Sequence, residues 1–130
     1  MKNGKLIETI DLVKQFPIGG RTFTALKDVN LQVESGEFLG LVGPSGSGKT
    51  TLLNIVGALD KPTSGKAIVI GMETGKLTHK EAATLRSEHL GFIFQTYNLL
   101  PVYTVYENVE FPLLLLSMEE KKRREMVMSA

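Results

Sequence analysis

Eight residues constrain this chain more than any others: Gly43-Pro44-Ser45-Gly46-Ser47-Gly48-Lys49-Thr50. They match the pattern GxxxxGK[ST]. An apolar run, Phe38-Leu39-Gly40-Leu41-Val42, precedes them, and Thr51 to Leu59 follows with Leu52, Ile55, Val56 and Leu59 at helical spacing. Such a loop between a strand and a helix brings several backbone N–H groups onto one point, because glycine accepts the angles and the close approach this needs. The helix behind it aims its positive end at the same point. What suits that wrap is the oxygen-rich anion of a nucleoside triphosphate. Lys49 adds a flexible charge for the β and γ phosphates, and the Thr50 hydroxyl can ligate Mg²⁺. At average composition the pattern would arise by chance in about half a percent of chains this long.

The rest of the chain fits an α/β arrangement. Its 130 residues suit one domain, and 42% hydrophobic with 22% charged residues is a globular balance. A net charge of +1 excludes strong general attraction to nucleic acid or anionic lipid. Without cysteine there is no disulfide, thiolate metal site or cysteine nucleophile, which is compatible with a reducing compartment. Met1 to Lys5 resembles a charged leader start, but Glu8 and Asp11 interrupt the apolar stretch that should follow. Leu113 to Leu116 is far short of the ~20 residues that span a bilayer.

Leu6 to Ile10 is a weak strand candidate, and Pro17-Ile18-Gly19-Gly20 signals a turn. Val29 to Glu34 alternates as a half-buried strand does. Phe38–Val42 lacks alternation and predicts a strand covered on both faces. Lys61 to Gly65 ends the first helix. Two more apolar runs, Ala67 to Ile70 and Leu90 to Phe94, flank a helix over Thr78 to Ser87, with Thr78 as N-cap and Glu81 at N3. The pattern is helical again from Thr104, broken at Pro112, and Glu119 to Glu125 is expected as a solvated helix face.

Two long stretches then identify a family by resemblance. GPSGSGKTTLLNIVGALDKPTSG resembles the phosphate-loop segment of ATP-binding-cassette (ABC) transporter nucleotide-binding domains, and LGFIFQTYNLLPVYTVYENVEFPL resembles their Q-loop segment, in the right order. ALKDVNLQVESGEFLGLVG is similar to the strand pair before the loop. The likeness covers nearly the whole chain. GALDKPTSG and NLLPVYTVYENV look closest to the lipoprotein-release and macrolide-export subgroup.

The resemblance implies a P-loop NTPase core, here an incomplete parallel sheet with helices, plus an N-terminal antiparallel β-subdomain and the start of a helical subdomain. Residues 1–100 would form the ATP-binding core and 101–130 the start of the helical subdomain. ATP and Mg²⁺ are the implied cofactors. Phe16 stands where the family carries an aromatic that stacks on adenine; a strand-end core residue is the alternative. Gly43, Pro44, Ser45, Gly46, Ser47, Gly48, Lys49, Thr50 and Thr51 would hold the phosphates. Gln95 matches the Q-loop glutamine that reaches Mg²⁺ or the attacking water, so Lys49 and Gln95 are the implied catalytic residues and Thr50 and Gln95 the implied metal ligands. Gln95 to Val105 would meet a transmembrane permease, placing the protein at the inner face of the membrane. A second nucleotide-binding domain would complete a homodimer, with no nucleic-acid partner.

Several of the family's hydrolytic parts do not occur in these residues: the LSGGQ-type signature, the Walker B aspartate, the catalytic glutamate after it and the late switch histidine. Ala67-Ile68-Val69-Ile70-Gly71-Met72-Glu73 has the wrong spacing for Walker B, and His79 and His89 precede Gln95. Without a Walker B strand beside the phosphate-loop strand, this stretch alone is expected to be marginally stable. The leading expectation is the ATP-binding part of an ABC transporter ATPase. The alternative is a non-hydrolysing ATP-binding or interaction fragment. A GTPase or small kinase fits poorly, since neither an NKxD-type motif nor an arginine-rich lid occurs.

Overall fold

The computed structural model describes residues 4–130, so the leader reading on Met1 to Asn3 lies outside the described residues. The chain divides into a unit ending at Gly91 and a unit from Phe92 to Ala130.

The first unit is built on a long hairpin, β1 (Lys5–Ile18) and β2 (Arg21–Glu34). The turn expected at Pro17–Gly20 closes it. Gly19 and Gly20 take φ of 55° and 76°, the two positive values a two-residue primed turn demands. The weak strand expected over Leu6–Ile10 is therefore a strand of 14 residues. Its pairing with β2 shifts register at four places, and Asp11 of β1 and Asp28 of β2 take φ of 45° and 47°. Asn30 repairs the ladder there: its amide oxygen accepts the Asp11 N–H at 2.9 Å, and its amide nitrogen donates to the Asp11 carboxylate at 3.0 Å. Val29 to Glu34 alternates half-buried and exposed residues, as its sequence pattern requires.

β3 (Ser64–Val69) pairs with the other side of β1, and β4 (Met72–Glu73) extends the sheet in the order β2-β1-β3-β4. Every pairing among the described residues is antiparallel. The helix α1 (Lys49–Val56) packs on this sheet, and Leu12, Leu26, Leu52, Ile55 and Ala67 form the core between them. It starts and stops earlier than its apolar spacing suggests. Gly48 at φ 90° is its N-cap, and Gly57 and Ala58, the latter at φ 51°, turn the chain out of the helix before Leu59. A second cluster of Ala58, Val69 and Leu85 seats α2 (His79–His89).

Two expected strands are not formed. Phe38–Val42 carries no regular structure, and Phe38 and Val42 are 99% and 97% exposed rather than covered on both faces. Leu90–Phe94 likewise forms no strand, and Ile93 is fully exposed. The cause is partnership. A parallel strand is held by ladder bonds to its neighbours, and no described residue offers either run such a neighbour.

α2 begins as its sequence signals. Thr78 N–H donates to the Glu81 carboxylate at 2.8 Å, the Thr78 hydroxyl donates to the same oxygen at 2.7 Å, and Glu81 N–H donates back to the hydroxyl at 3.3 Å. The bond from the Thr78 backbone, then that from its hydroxyl, holds the Glu81 carboxyl below its ordinary pKa. Thr78→Ala is expected to cost about 1 kcal/mol in urea unfolding. A carboxylate depressed in the folded state stabilises above its unfolded pKa and loses that contribution as pH falls through the folded value. Glu81→Gln should therefore flatten the loss of stability below about pH 4.3. An unchanged acid profile in that variant would remove the capping box from the account.

The second unit holds α3 (Val105–Glu110), a 3₁₀ turn over Phe111–Leu115 and α4 (Glu120–Ser129). Thr104 and Glu107 repeat the capping box on α3. Pro112 stands in the 3₁₀ turn, and its missing N–H ends the α-helical ladder as expected. Glu119 to Glu125 is not wholly a solvated face. Arg123 is half-buried and bonds Glu110 of α3 at 2.8 Å, which ties the two helices together.

Candidate functional site: the phosphate loop

The loop Gly43–Gly48 leaves the irregular Phe38–Val42 segment and feeds α1. Its glycines do separate jobs. Gly46 takes φ 80° in open space, so its role is conformational. Gly48 takes φ 90°, and a Cβ there would lie 2.7 Å from the Ala25 carbonyl oxygen and 2.9 Å from Leu26. The loop's last glycine thus closes directly onto β2. At Gly43 a Cβ would meet the Ser47 hydroxyl at 2.7 Å, so the two ends of the loop touch.

Lys49 shows what the loop is charged for. Its ammonium donates to the Gly43 carbonyl at 2.7 Å, the Pro44 carbonyl at 2.8 Å and the Ser47 hydroxyl at 3.1 Å. The cation is therefore held over the loop mouth by three neutral oxygens. No acidic residue lies in the first turn of α1, so nothing there offsets the positive end of the helix. The first bond within the helix runs from Leu52 N–H to the Gly48 carbonyl at 2.9 Å, which leaves the preceding N–H groups directed out of the helix end. An anion meets an ammonium and a fan of N–H groups. Thr50 is exposed beside Lys49 and Thr51 half-buried one step on. These groups fit a nucleotide's phosphates. They also fit Mg²⁺, which takes most of its oxygens from phosphate and water and needs few from protein.

Phe16 lies in the same unit, half-buried on β1 opposite Phe23. Two residues before it, Lys14 pairs with Leu26, the residue against which Gly48 closes. One hairpin therefore carries both the aromatic and the wall of the phosphate loop.

Gln95 falls in the second unit, exposed and outside regular structure, next to a parallel pair of rings from Phe92 and Phe94 with centroids 5.8 Å apart. Thr50 and Gln95, the two implied metal ligands, thus belong to different units. Among the described residues no group of three or more His, Cys, Asp or Glu is placed to hold a metal. The apolar stretch after Gln95 is exposed, Tyr97 by 91% and Val102 by 85%. Leu99, Leu100, Pro101, Tyr103, Val105 and Val109 line a groove of about 350 Å³. Asn108 braces it, accepting the Leu100 N–H at 2.8 Å and donating to the Tyr103 and Thr104 carbonyls at 3.1 and 2.9 Å. Sequence reasoning missed Asn108, because nothing in its neighbourhood distinguishes a loop brace from a polar helix residue.

A loop of this kind, on an α1 seated against an antiparallel hairpin sheet, defines a nucleotide-binding cassette. The sequence profile described as "ABC transporter" matches residues 26–130, and the chain belongs to that family. It is 46% identical over 122 residues to the macrolide export ATP-binding/permease protein MacB of Burkholderia pseudomallei (strain 1710b), covering 94% of this chain and 19% of MacB. It is 42% identical over 124 residues to the ABC transporter ATP-binding protein MJ0796 of Methanocaldococcus jannaschii, covering 92% of this chain and 53% of that protein. The chain thus spans about half, or less, of the length of these relatives. The solved dimeric structure of the ATP-binding cassette MJ0796 in a post-hydrolysis state, bound to ADP and Pi, superimposes with a TM-score of 0.87 at 40% identity, over 95% of this chain and 54% of that one. Among the described residues no helix is long and apolar enough to cross a membrane.

Proposed function

We propose that this chain binds MgATP as part of the motor of an ABC transporter. The observation that carries the reading is the Lys49 ammonium, held at the mouth of a helix end that bears no acidic residue. Residues 1–100 supply the ATP-binding core, and 101–130 open a helical subdomain. Phe16 stacks on the base, and the backbone of Gly43 to Thr51 wraps the phosphates. Lys49 exchanges its loop carbonyls for phosphate oxygens and offsets their charge. Thr50 and Gln95 are the side chains that would hold Mg²⁺, which when bound would offset the negative charge of the phosphates. Gln95 also orients the attacking water. The remaining acid and base groups for hydrolysis are not among these residues.

The exposed groove around Leu99–Val109 takes an apolar segment of a permease, and a second cassette faces this one across ATP. This places the protein at the cytoplasmic face of the membrane. Relatives named for macrolide export favour an exporter-type system, in keeping with the resemblance in GALDKPTSG. Calorimetric titration of the full chain with MgATP should give saturable binding below about 1 mM, competed by inorganic tripolyphosphate. No binding at that concentration would sink the reading.

A further inference from the structure

We propose that Lys14 is a positioning residue for the nucleotide's base. Its ammonium covers one face of the Phe16 ring and leaves the opposite face to a purine. The proposal rests on the reading of Phe16 as the stacking residue and adds what fixes that residue.

The Lys14 ammonium lies 5.0 Å from the centroid of the Phe16 ring, within the range of a cation–π contact. A surface lysine would normally swing free of such a contact. This one is anchored twice, donating to the Asp60 carboxylate at 2.7 Å and to the Lys61 carbonyl at 2.7 Å. Its side chain is only 12% exposed. The anchor is itself fixed, since the same Asp60 oxygen accepts the Lys61 N–H at 2.7 Å. Asp60 and Lys61 lie just beyond α1, whose other end begins at the phosphate loop. One cation thus links the strand that carries the aromatic to the chain leaving the helix that carries the phosphate site.

Three consequences follow from the chemistry. A base cannot enter between ring and ammonium without separating a pinned ion pair, so one face of Phe16 is closed. The ammonium draws the ring's π density toward itself, which reduces repulsion between the far face and a purine's own π cloud. The ring is also held in place before binding, which lowers the cost of ordering it. A direct phosphate role suits Lys14 poorly, because its charge is already matched by Asp60.

The test compares the full chain with Lys14→Met, Lys14→Arg and Phe16→Ala, each titrated with ATP and with inorganic tripolyphosphate. Methionine keeps the stem without the charge, and arginine restores both the cation and the Asp60 pair. The readout is the ratio of ATP to tripolyphosphate affinity, which separates the base from the phosphates. The ratio should fall about fivefold in Lys14→Met, recover in Lys14→Arg and fall further in Phe16→Ala. An unchanged ratio in Lys14→Met beside a fallen one in Phe16→Ala overturns the role of Lys14 and leaves stacking intact. An unchanged ratio in Phe16→Ala overturns the stacking reading and the proposal together. Should Lys14→Met not fold, as judged by circular dichroism, Asp60→Asn removes the charged anchor alone. It should lower the same ratio about twofold, and no change there would overturn the proposal.

Discussion

Gly65→Ala is expected to destabilise the protein by about 3–5 kcal/mol, at the upper end for a single substitution. Gly65 lies in β3 opposite the Asp11 bulge of β1, where the pairing jumps from Ile10–Lys66 to Val13–Ser64. Its φ is +74°, which costs any L-residue about 1–2 kcal/mol. A Cβ there would also stand 2.6 Å from the Asp11 carbonyl carbon and 2.7 Å from the Ile10 carbonyl oxygen. Those atoms are backbone and cannot rotate aside, so β3 must draw away from β1. Gly20 supplies the control. Its φ of +76° is almost the same, yet nothing lies within 4 Å of its Cβ position. Gly20→Ala should cost only the conformational share, about 1–2 kcal/mol. Urea unfolding of the two variants separates close approach from backbone strain, and equal losses would refute the packing argument.

The contrast between these glycines shows where sequence reading works. Gly19-Gly20 was legible as a turn because turn chemistry is local: two adjacent positive φ values select glycine. Gly65 read only as helix-ending punctuation, because its real constraint comes from Asp11, more than fifty residues earlier in the chain. The same division runs through the site. Thr78 and Glu81 signal their helix because the bonds they make span three residues. The phosphate loop is legible because its ligand is bound by backbone within one short segment. Phe38–Val42 reads as a buried strand because apolar composition reports what a segment needs, not whether a partner is present to meet the need. Lys14 carries no sequence signal at all. It matters only because β1 brings it beside Asp60, 46 positions away.

Lys49→Ala is expected to weaken MgATP binding by one and a half to two orders of magnitude, on the order of 2–3 kcal/mol from lost charge-assisted bonds. The loss is smaller than a bare ammonium–phosphate contact would suggest. In the free protein the ammonium already bonds the Gly43 and Pro44 carbonyls and the Ser47 hydroxyl, so binding exchanges three neutral acceptors for anionic ones. The alanine variant also loses the tie between the two ends of the loop, which raises the cost of ordering it around phosphate. Lys49→Arg should not rescue, because a planar fork cannot occupy the small mouth that accepts a point charge on a flexible stem. AMP provides the discriminating ligand, since it lacks the β and γ phosphates that Lys49 is placed to meet. Titrations of wild type and variant with ATP and with AMP should show the ATP affinity collapsing while that for AMP changes by less than about threefold. Equal losses for both nucleotides would mean that the substitution disorders the loop as a whole. Lys49 would then serve as its internal brace, and recognition of the terminal phosphates would rest on the backbone N–H groups and the end of α1.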